Sequence, residues 1–425
     1  MPGVVVDFSL TTTVGGMSLS PTFATSGSDG TLSTSVSAGI VNSPVRVQAT
    51  VRGSTVSALS DQLVISTGVA DQKSFTVVPS IYNIECADHD GTDFTTVTAF
   101  VADHFNNPVP DGTAISFTTG AGAIDASCLT GLKQTTLTDG SPILQKGVPG
   151  QCTVRFICQN PRRANDRATV LAYALGEESF TDDPSILNGI NRYNLGESFM
   201  DLREPFRYDR AITNLDAMSV NNGSNNGVSP ALGEPFIDSD GNGLWNSSSD
   251  GFYNGVLQAT PNGKTPTVHV RDSFVLVFSG STAVISALSP EPVQLGHCID
   301  GTPFANTPTT FNVAVRDTNA TTYPGNSLAG NIMPAGTKIE FLTSNGLILS
   351  GSSFVVPNTN NPNQSAWTYP VLLQSDATQT GPGTISNGVS NPSYVCTNPV
   401  SSGLLTVKVT TPLGIISTMS FSVTD

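Results

Sequence analysis

One phrase recurs three times along the chain: Gly3-Val-Val-Val-Asp-Phe8, Gly112-Thr-Ala-Ile-Ser-Phe117 and Gly336-Thr-Lys-Ile-Glu-Phe341. The second and third copies follow a proline two residues earlier, Pro110 and Pro334, and each meets another glycine soon after, Gly120 and Gly346. Proline and glycine at that spacing are turn chemistry, and the residues behind them alternate with the period of a strand. Each copy therefore reads as a turn feeding a strand whose alternate residues face a core. A pair of strand-like runs lies downstream of each. In the last copy these are Leu405–Val409 and Met419–Val423, and in the first Val45–Ala49 and Leu63–Ile65. In the middle copy Ala168–Ala174 matches the first run, and the second must be Val268 through Phe278, roughly ninety residues later.

This spacing sets the domain plan. Residues 1–71 read as the C-terminal half of a sandwich, because about forty strand-like residues precede Gly112 in the middle copy and have no counterpart before Gly3. Residues 72–283 read as a complete domain with an insertion at about 176–266 in its last hairpin, and 284–425 as a third. Short strands with turn signals every 8 to 12 residues point to β-sandwiches. The missing half-sandwich is expected to be cut away at the start of the chain or supplied by strand addition from another molecule.

Composition agrees with a secreted all-β protein. Only 12% of residues are charged, about half the globular average, and hydroxyl and amide side chains take their place. The net charge of −15 makes nucleic acid a poor partner and divalent cations a better one. No apolar run reaches membrane-spanning length. No leader-like segment opens the sequence, so a secreted parent would present this chain as a mature portion. The six cysteines form no CxxC pair, and an even count in such a chain points to disulfides and an oxidising compartment. Cys152-Thr-Val-Arg-Phe-Ile-Cys158 alternates, so both thiols share one strand face about 20 Å apart, beyond disulfide reach. They need different partners, and Cys86 and Cys128 are the two left in that domain. The favoured pairing is Cys128–Cys152 and Cys86–Cys158, with Cys298–Cys396 in the last domain.

The middle copy resembles the bacterial immunoglobulin-like domains of group 1, known from intimin- and invasin-type surface proteins. The residues that carry the resemblance are Asp90–Asp103, Asn107–Phe117 and Ala168–Ala174. It is fair over residues 1–70 and weaker over 284–425, where Asn319–Met333 intervenes. The resemblance implies tandem Ig-like sandwiches at a cell surface, acting as stalks, spacers or adhesive tips without catalysis. The insertion lies outside the family pattern.

That insertion is acidic. Between Glu177 and Asp250 stand thirteen carboxylates and four arginines, and a short acidic-aromatic phrase occurs four times. Its copies are Glu178-Ser-Phe-Thr-Asp182, Glu197-Ser-Phe-Met-Asp201, Glu204-Pro-Phe-Arg-Tyr-Asp209 and Glu234-Pro-Phe-Ile-Asp238. The last runs into Asp238-Ser-Asp240-Gly-Asn242-Gly-Leu244, the first half of an EF-hand-type calcium loop. Asp238, Asp240 and Asn242 would offer side-chain oxygens, and Leu244 its carbonyl. Ser249 stands where the loop's closing glutamate belongs, so Asp250, Glu234 or Glu197 must complete the shell. Phe180, Phe199, Phe206 and Phe236 are expected to form a satellite core. Asp182, Asp201, Asp209, Glu178 and Glu204 would bind further calcium around it. Asp88-His89-Asp90 and His297 read as turn residues rather than metal ligands.

The leading expectation is a non-catalytic extracellular structural or adhesive protein, a calcium-stabilised stalk or filament subunit that self-associates or meets another surface protein or a glycan. The alternative is a calcium-dependent carbohydrate-binding module presenting Trp245, Phe252 and Tyr253. A lesser alternative is a phage or virus appendage. No nucleophile elbow or HExxH motif supports an enzyme.

Overall fold

The computed structural model describes residues 1–39, 44–64, 68–88, 90, 93–136, 142–179, 198–199, 237, 267–382, 385–386, 389–390, 393–398 and 401–425. Glycine turns set its register. Gly3, Gly112 and Gly336 all take positive φ, at 80°, 91° and 85°. In the second and third, the N–H of Thr113 and Thr337 donates back to the carbonyl of Pro110 and Pro334, at 3.2 and 3.1 Å. A turn that needs φ > 0 at its third position selects glycine there. The strand that follows is β1 (Val5–Leu10) in the first unit, with β2 (Phe23–Thr25), β3 (Val47–Val51) and β4 (Ser57–Leu59) completing one antiparallel sheet in the order β2-β1-β3-β4.

The middle unit has two sheets. Its strands in chain order are β5 (Ala70–Asp71), β6 (Phe75–Pro79), β7 (Asn83–Glu85), β8 (Asp93–Val101), β9 (Ala114–Thr119), β10 (Ala123–Ile124) and β11 (Ser127–Leu129). β12 (Gln151–Ile157), β13 (Arg167–Glu177) and β14 (Val268–Ser279) follow. One sheet runs β6-β8-β12-β10 and the other β7-β14-β13-β9-β11, with β5 added in parallel to the end of β13. The third unit holds β15 (Val284–Ala287), β16 (Val293–Gln294), β17 (Thr309–Arg316), β18 (Lys338–Thr343), β19 (Leu347–Ser350) and β20 (Ser353–Val355). β21 (Thr368–Gln374), β22 (Ser402–Thr410) and β23 (Ile416–Thr424) end the chain. Its sheets run β15-β17-β21-β19 and β16-β23-β22-β18-β20, which is the middle unit's order strand for strand.

The fold is therefore all-β, built as tandem Ig-like sandwiches. The repeated phrase lands in the same register each time: Phe8 faces Ala49, Phe117 faces Ala172 and Phe341 faces Val407. Those positions face a packed core in the two complete sandwiches, where Ile115, Phe117, Ile339 and Phe341 are buried together with Val170, Ala172, Leu405 and Val407. In the first unit the matching Phe8, Val47, Ala49 and Val51 are only half-buried. Among its described residues there is one four-stranded sheet, accompanied by two two-stranded ladders, Ser18–Ser20 with Ser35–Ser37 and Pro44–Val45 with Leu63–Val64.

One expected pairing is corrected. Leu63 does not follow β3 in the sheet; Ser57–Leu59 takes that place, and Leu63–Val64 pairs with Pro44–Val45 instead. The cause is local: Gly53, at φ 77°, closes a tight turn in which Ser54 N–H donates to the Val51 carbonyl at 3.0 Å. The hairpin is finished before residue 63 is reached. In the middle unit β13 and β14 are antiparallel neighbours from Arg167↔Val277 to Gly176↔Val268, so the acidic stretch is the connection of one hairpin.

Three disulfides join Cys86 to Cys158, Cys128 to Cys152 and Cys298 to Cys396, with Cα separations of 6.0, 5.8 and 5.9 Å. The first two tie opposite ends of β12 to different neighbours.

Candidate functional site: a buried carboxylate–histidine cluster and an amide-bonded junction

At the root of the acidic hairpin, Gly176 lets two strands come together. A Cβ there would sit 2.3 Å from the Ala70 carbonyl oxygen, so only glycine admits β5 beside β13. β5 brings Asp71 beside Glu177, and the turn after β8 brings His104. Asp103 fixes that turn by accepting the N–H groups of Phe105 and Asn107, both at 2.9 Å. The ligand atoms of Asp71, His104 and Glu177 all lie within 4.8 Å of one another. Asp71 and Glu177 are 3% and 0% exposed, and the neighbouring Glu178 is 2% exposed. His104 Nδ1 lies 3.3 Å from Asp71 Oδ2, while Ser179 Oγ donates to Asp71 Oδ1 at 2.6 Å. Burying this much carboxylate invites a cation, since an ionised group taken out of water needs a partner. Two carboxylates and an imidazole suit a transition metal better than calcium, which takes six to eight hard oxygens.

Sequence reasoning missed Asp71, His104 and Glu177. They are far apart in the chain, and the one local signal is the Gly176-Glu177 pair that immediately precedes the first acidic phrase. Of the expected ligands only Glu178 lies among the described residues, beside the cluster. Asp182, Glu197, Asp201, Glu204, Asp209, Glu234, Asp238, Asp240, Asn242, Leu244 and Asp250 lie outside them, as do Phe180, Phe206, Phe236, Trp245, Phe252 and Tyr253. The described parts of the insertion do come together. Ile237 N–H donates to the Ser198 carbonyl at 2.8 Å, and Ser198 Oγ donates to the His269 carbonyl on β14 at 3.2 Å. The second and fourth acidic phrases thus meet at this point, with Phe199 half-buried. Of the turn residues set aside as metal ligands, Asp90 pairs with Arg162 at 2.6 Å and His297 is exposed.

The second site follows from β7. Alternation sends Ile84 into the middle core and turns Asn83 and Glu85 the other way, onto the third unit. Asn83, 1% exposed, donates through Nδ2 to the carbonyls of Met333 and Pro357, at 2.8 and 3.0 Å. Its Oδ1 accepts Thr359 N–H at 3.0 Å, and its main-chain carbonyl accepts Ala335 N–H at 2.9 Å. Glu85 Oε2 accepts Leu413 N–H at 2.9 Å. The loop after β20 answers in kind. Asn358 Oδ1 accepts Tyr82 N–H at 2.7 Å, and Asn360 Nδ2 donates to the Val275 carbonyl at 3.1 Å. Arg167 donates to the Asn360 carbonyl at 2.8 Å and lies 5.4 Å from the Tyr323 ring centroid. From the other side, Asn331 Nδ2 donates to the Asn165 carbonyl at 2.9 Å and Asn319 Nδ2 to Asp166 at 2.7 Å. Side-chain amides matched to main-chain groups fix orientation as well as contact.

Two carboxylates at this junction are electrostatically loaded. Asp317 accepts N–H groups from Gly280, Asn319 and Asn331, at 3.0, 3.0 and 2.7 Å. Burial nevertheless pushes its pKa up to about 6; the three donors oppose that rise and Asp166 adds to it. Burial also raises Asp166, against the pull of Asn319 and Arg162, and Asp88 reinforces the rise.

Among the described residues no helix is long and apolar enough to cross a membrane. The strand order defines a class, tandem immunoglobulin-like sandwiches, and it does so without outside help. No protein-family model matches the chain, and no curated protein matches it. Among solved structures it is similar to the D0-D1 domain of intimin, at 16% identity over 40% of this chain and 74% of that one, with a TM-score of 0.17. It is also similar to a protocadherin gammaB7 EC3-6 cis-dimer structure, at 8% identity over 100% of this chain and 69% of that one, again with a TM-score of 0.17.

Proposed function

We propose that this chain is a non-catalytic extracellular structural or adhesive protein, a stiff segment of a surface stalk or filament. The observation that carries the reading is the junction around Asn83, where amides and main-chain groups of two sandwiches bind each other directly. A flexible tether between domains has no use for a buried asparagine with three bonds across the boundary. A stalk that must bear load or hold a tip away from a surface does. Disulfides in each complete sandwich suit an oxidising exterior. The acidic hairpin is the element for calcium, through Asp238, Asp240, Asn242 and Leu244, with ordering of a long loop as the effect.

Two measurements test this. Spin labels on the middle and third sandwiches should give one narrow distance distribution, unchanged by salt; a broad distribution removes the stiff-stalk reading. Calorimetric titration of chelator-stripped protein with calcium should release or absorb heat and raise the melting temperature, and the Asp238→Ala/Asp240→Ala double variant should do neither. Silence from the unsubstituted protein would end the calcium assignment while leaving the stalk untouched.

A further inference from the structure

At the root of the acidic hairpin two carboxylates are held side by side out of water. The parallel register of β5 on β13 sets Ala70 against Gly176 and Asp71 against Glu177, so the Asp71 and Glu177 side chains leave the same face of the sheet. Both are buried. Like charges at directly opposed strand positions repel, and burial removes the water that would screen them. The sequence nevertheless reserves a glycine for this approach. A Cβ at 176 would meet the Val270 side chain at 2.6 Å as well as the Ala70 carbonyl.

An imidazole completes the set from a third segment, and each ligand is held in place by its own partners. The His104 turn is tied to the chain around Asp71: Asp71 N–H donates to the Ala102 carbonyl and Ala102 N–H to the Ser74 carbonyl, both at 3.0 Å. Ser74 Oγ bonds Asn106 Oδ1, also at 3.0 Å. Asp71 Oδ1 accepts Ser179 Oγ at 2.6 Å and Lys73 N–H at 3.0 Å, which leaves Oδ2 facing His104 Nδ1. That last separation, 3.3 Å, is longer than an ordinary N–H···O bond of about 2.7–3.2 Å. It matches the edge of a tetrahedron whose metal–ligand bonds are about 2.0–2.1 Å, an edge of about 3.3–3.4 Å. The Glu177 carboxylate lies within 4.8 Å of both partners, so the three ligand atoms can close on one ion with small movements. The His104 side chain is 24% exposed against 4% for Asp71, so the imidazole side of the cluster is where an ion and water enter.

We propose that Asp71, His104 and Glu177 bind one divalent transition-metal ion of zinc's class, with water in the fourth position. The set offers three protein ligands, one of them nitrogen, where calcium takes six to eight hard oxygens. An imidazole with two carboxylates is a zinc ligand set. The ion offsets the repulsion between the opposed carboxylates. It also pins three segments together: the strand that leads from the first unit into the middle one, the turn after β8 and the root of the acidic hairpin. Ser179 acts as a positioning residue, aiming Asp71 in the way that second partners orient metal ligands. The site is separate from the calcium reading of Asp238–Leu244 and does not depend on it.

The test uses the full chain after chelator treatment. Zinc chloride should bind as one ion per chain in calorimetry and raise the melting temperature, and cobalt(II) chloride should give the visible absorption of a four-coordinate ion. Ser179→Ala, which removes only the donor that aims Asp71, should lower zinc affinity about 10–100-fold. His104→Ala removes a ligand, so it should lower affinity further than that and abolish the cobalt absorption. A parent protein that takes up neither metal overturns the proposal. So does binding that His104→Ala leaves intact, which would place the ion elsewhere. If His104 serves only as an ion-pair partner of Asp71, its alanine variant melts lower without metal while zinc shifts neither protein, and the proposal falls. Calcium that displaces cobalt at equal concentration overturns the assigned metal class. The Asp238→Ala/Asp240→Ala variant should keep its zinc, so this result and the calcium result read apart.

Discussion

Truncating Asn83 to alanine should uncouple the middle and third sandwiches without unfolding either. The side chain is 1% exposed and makes three bonds across the boundary, two donated and one accepted. Their loss is not uniform. Pro357 is exposed, so its carbonyl rehydrates and little beyond the net bond, about 1 kcal/mol, is lost. Met333 is fully buried, and a carbonyl stranded there costs about 1–3 kcal/mol. Thr359 is half-buried and falls between. The variant should thus lose on the order of 3–4 kcal/mol of coupling. Asn83 lies outside both cores, so almost none of this should come from either sandwich alone. Calorimetry reads the difference. The parent should unfold its two complete sandwiches in one cooperative transition, and Asn83→Ala should split it into two, with the spin-label distance distribution broadened. Ile84→Ala is the control: it opens a cavity in the middle core and should cost about 2–5 kcal/mol there, lowering one transition without broadening the distances. If Asn83→Ala melts as a single transition at the parent's temperature, the clamp is a passive contact and the argument for a stiff junction fails.

Three further outcomes follow from the same structure. Replacing Cys86 and Cys158 with serine opens a loop of sequence separation 72 and should cost about 4 kcal/mol by loop entropy, read as a shift in urea midpoint; no shift would mean the loop is already closed by packing. Asp317 has a folded pKa of about 6 against an ordinary 3.8, so the folded state binds the extra proton between those values. Its contribution to stability is therefore fully present below about pH 4 and is lost as pH rises to about 6. Asp317→Asn should flatten the stability profile in that window, and an unchanged slope would show that other groups set it. Gly176→Ala should displace β5, because its Cβ meets the Ala70 carbonyl at 2.3 Å, and faster amide exchange at Glu177 and its neighbours, with the two cores still protected, is the expected reading.

What the sequence disclosed depended on how local the physics was. The turn glycines at 112 and 336 and the alternation behind them are local, and they put Phe117 and Phe341 at matching places in matching sheets. The hairpin spanning the acidic stretch was legible for the same reason, since Ala168–Ala174 and Val268–Phe278 are long and strongly apolar. β7 was not. Asn83-Ile-Glu85 is too short and too polar to read as a strand, and it earns its place only by pairing with β14 on one side and bonding to another sandwich through Asn83 and Glu85. Asn358-Thr-Asn-Asn-Pro-Asn363 likewise reads as any polar loop, because an amide that will bond a distant carbonyl looks no different in sequence from one that will bond water. The Asp71–His104–Glu177 cluster fails to show for a third reason. Its members come from a linker strand, a turn and a strand end, and only a glycine at 176 that admits β5 brings them together. The acidic phrases hold carboxylates that repeat, whereas Asp71 and Glu177, the carboxylates that meet His104, stand just outside the repeat, with Glu178 of the first phrase buried beside them. That contrast sharpens the calcium experiment: if Asp238→Ala/Asp240→Ala removes the heat of binding, the phrase itself is the ligand, and if only Glu177→Gln does, the site is the root of the hairpin and the phrases merely surround it.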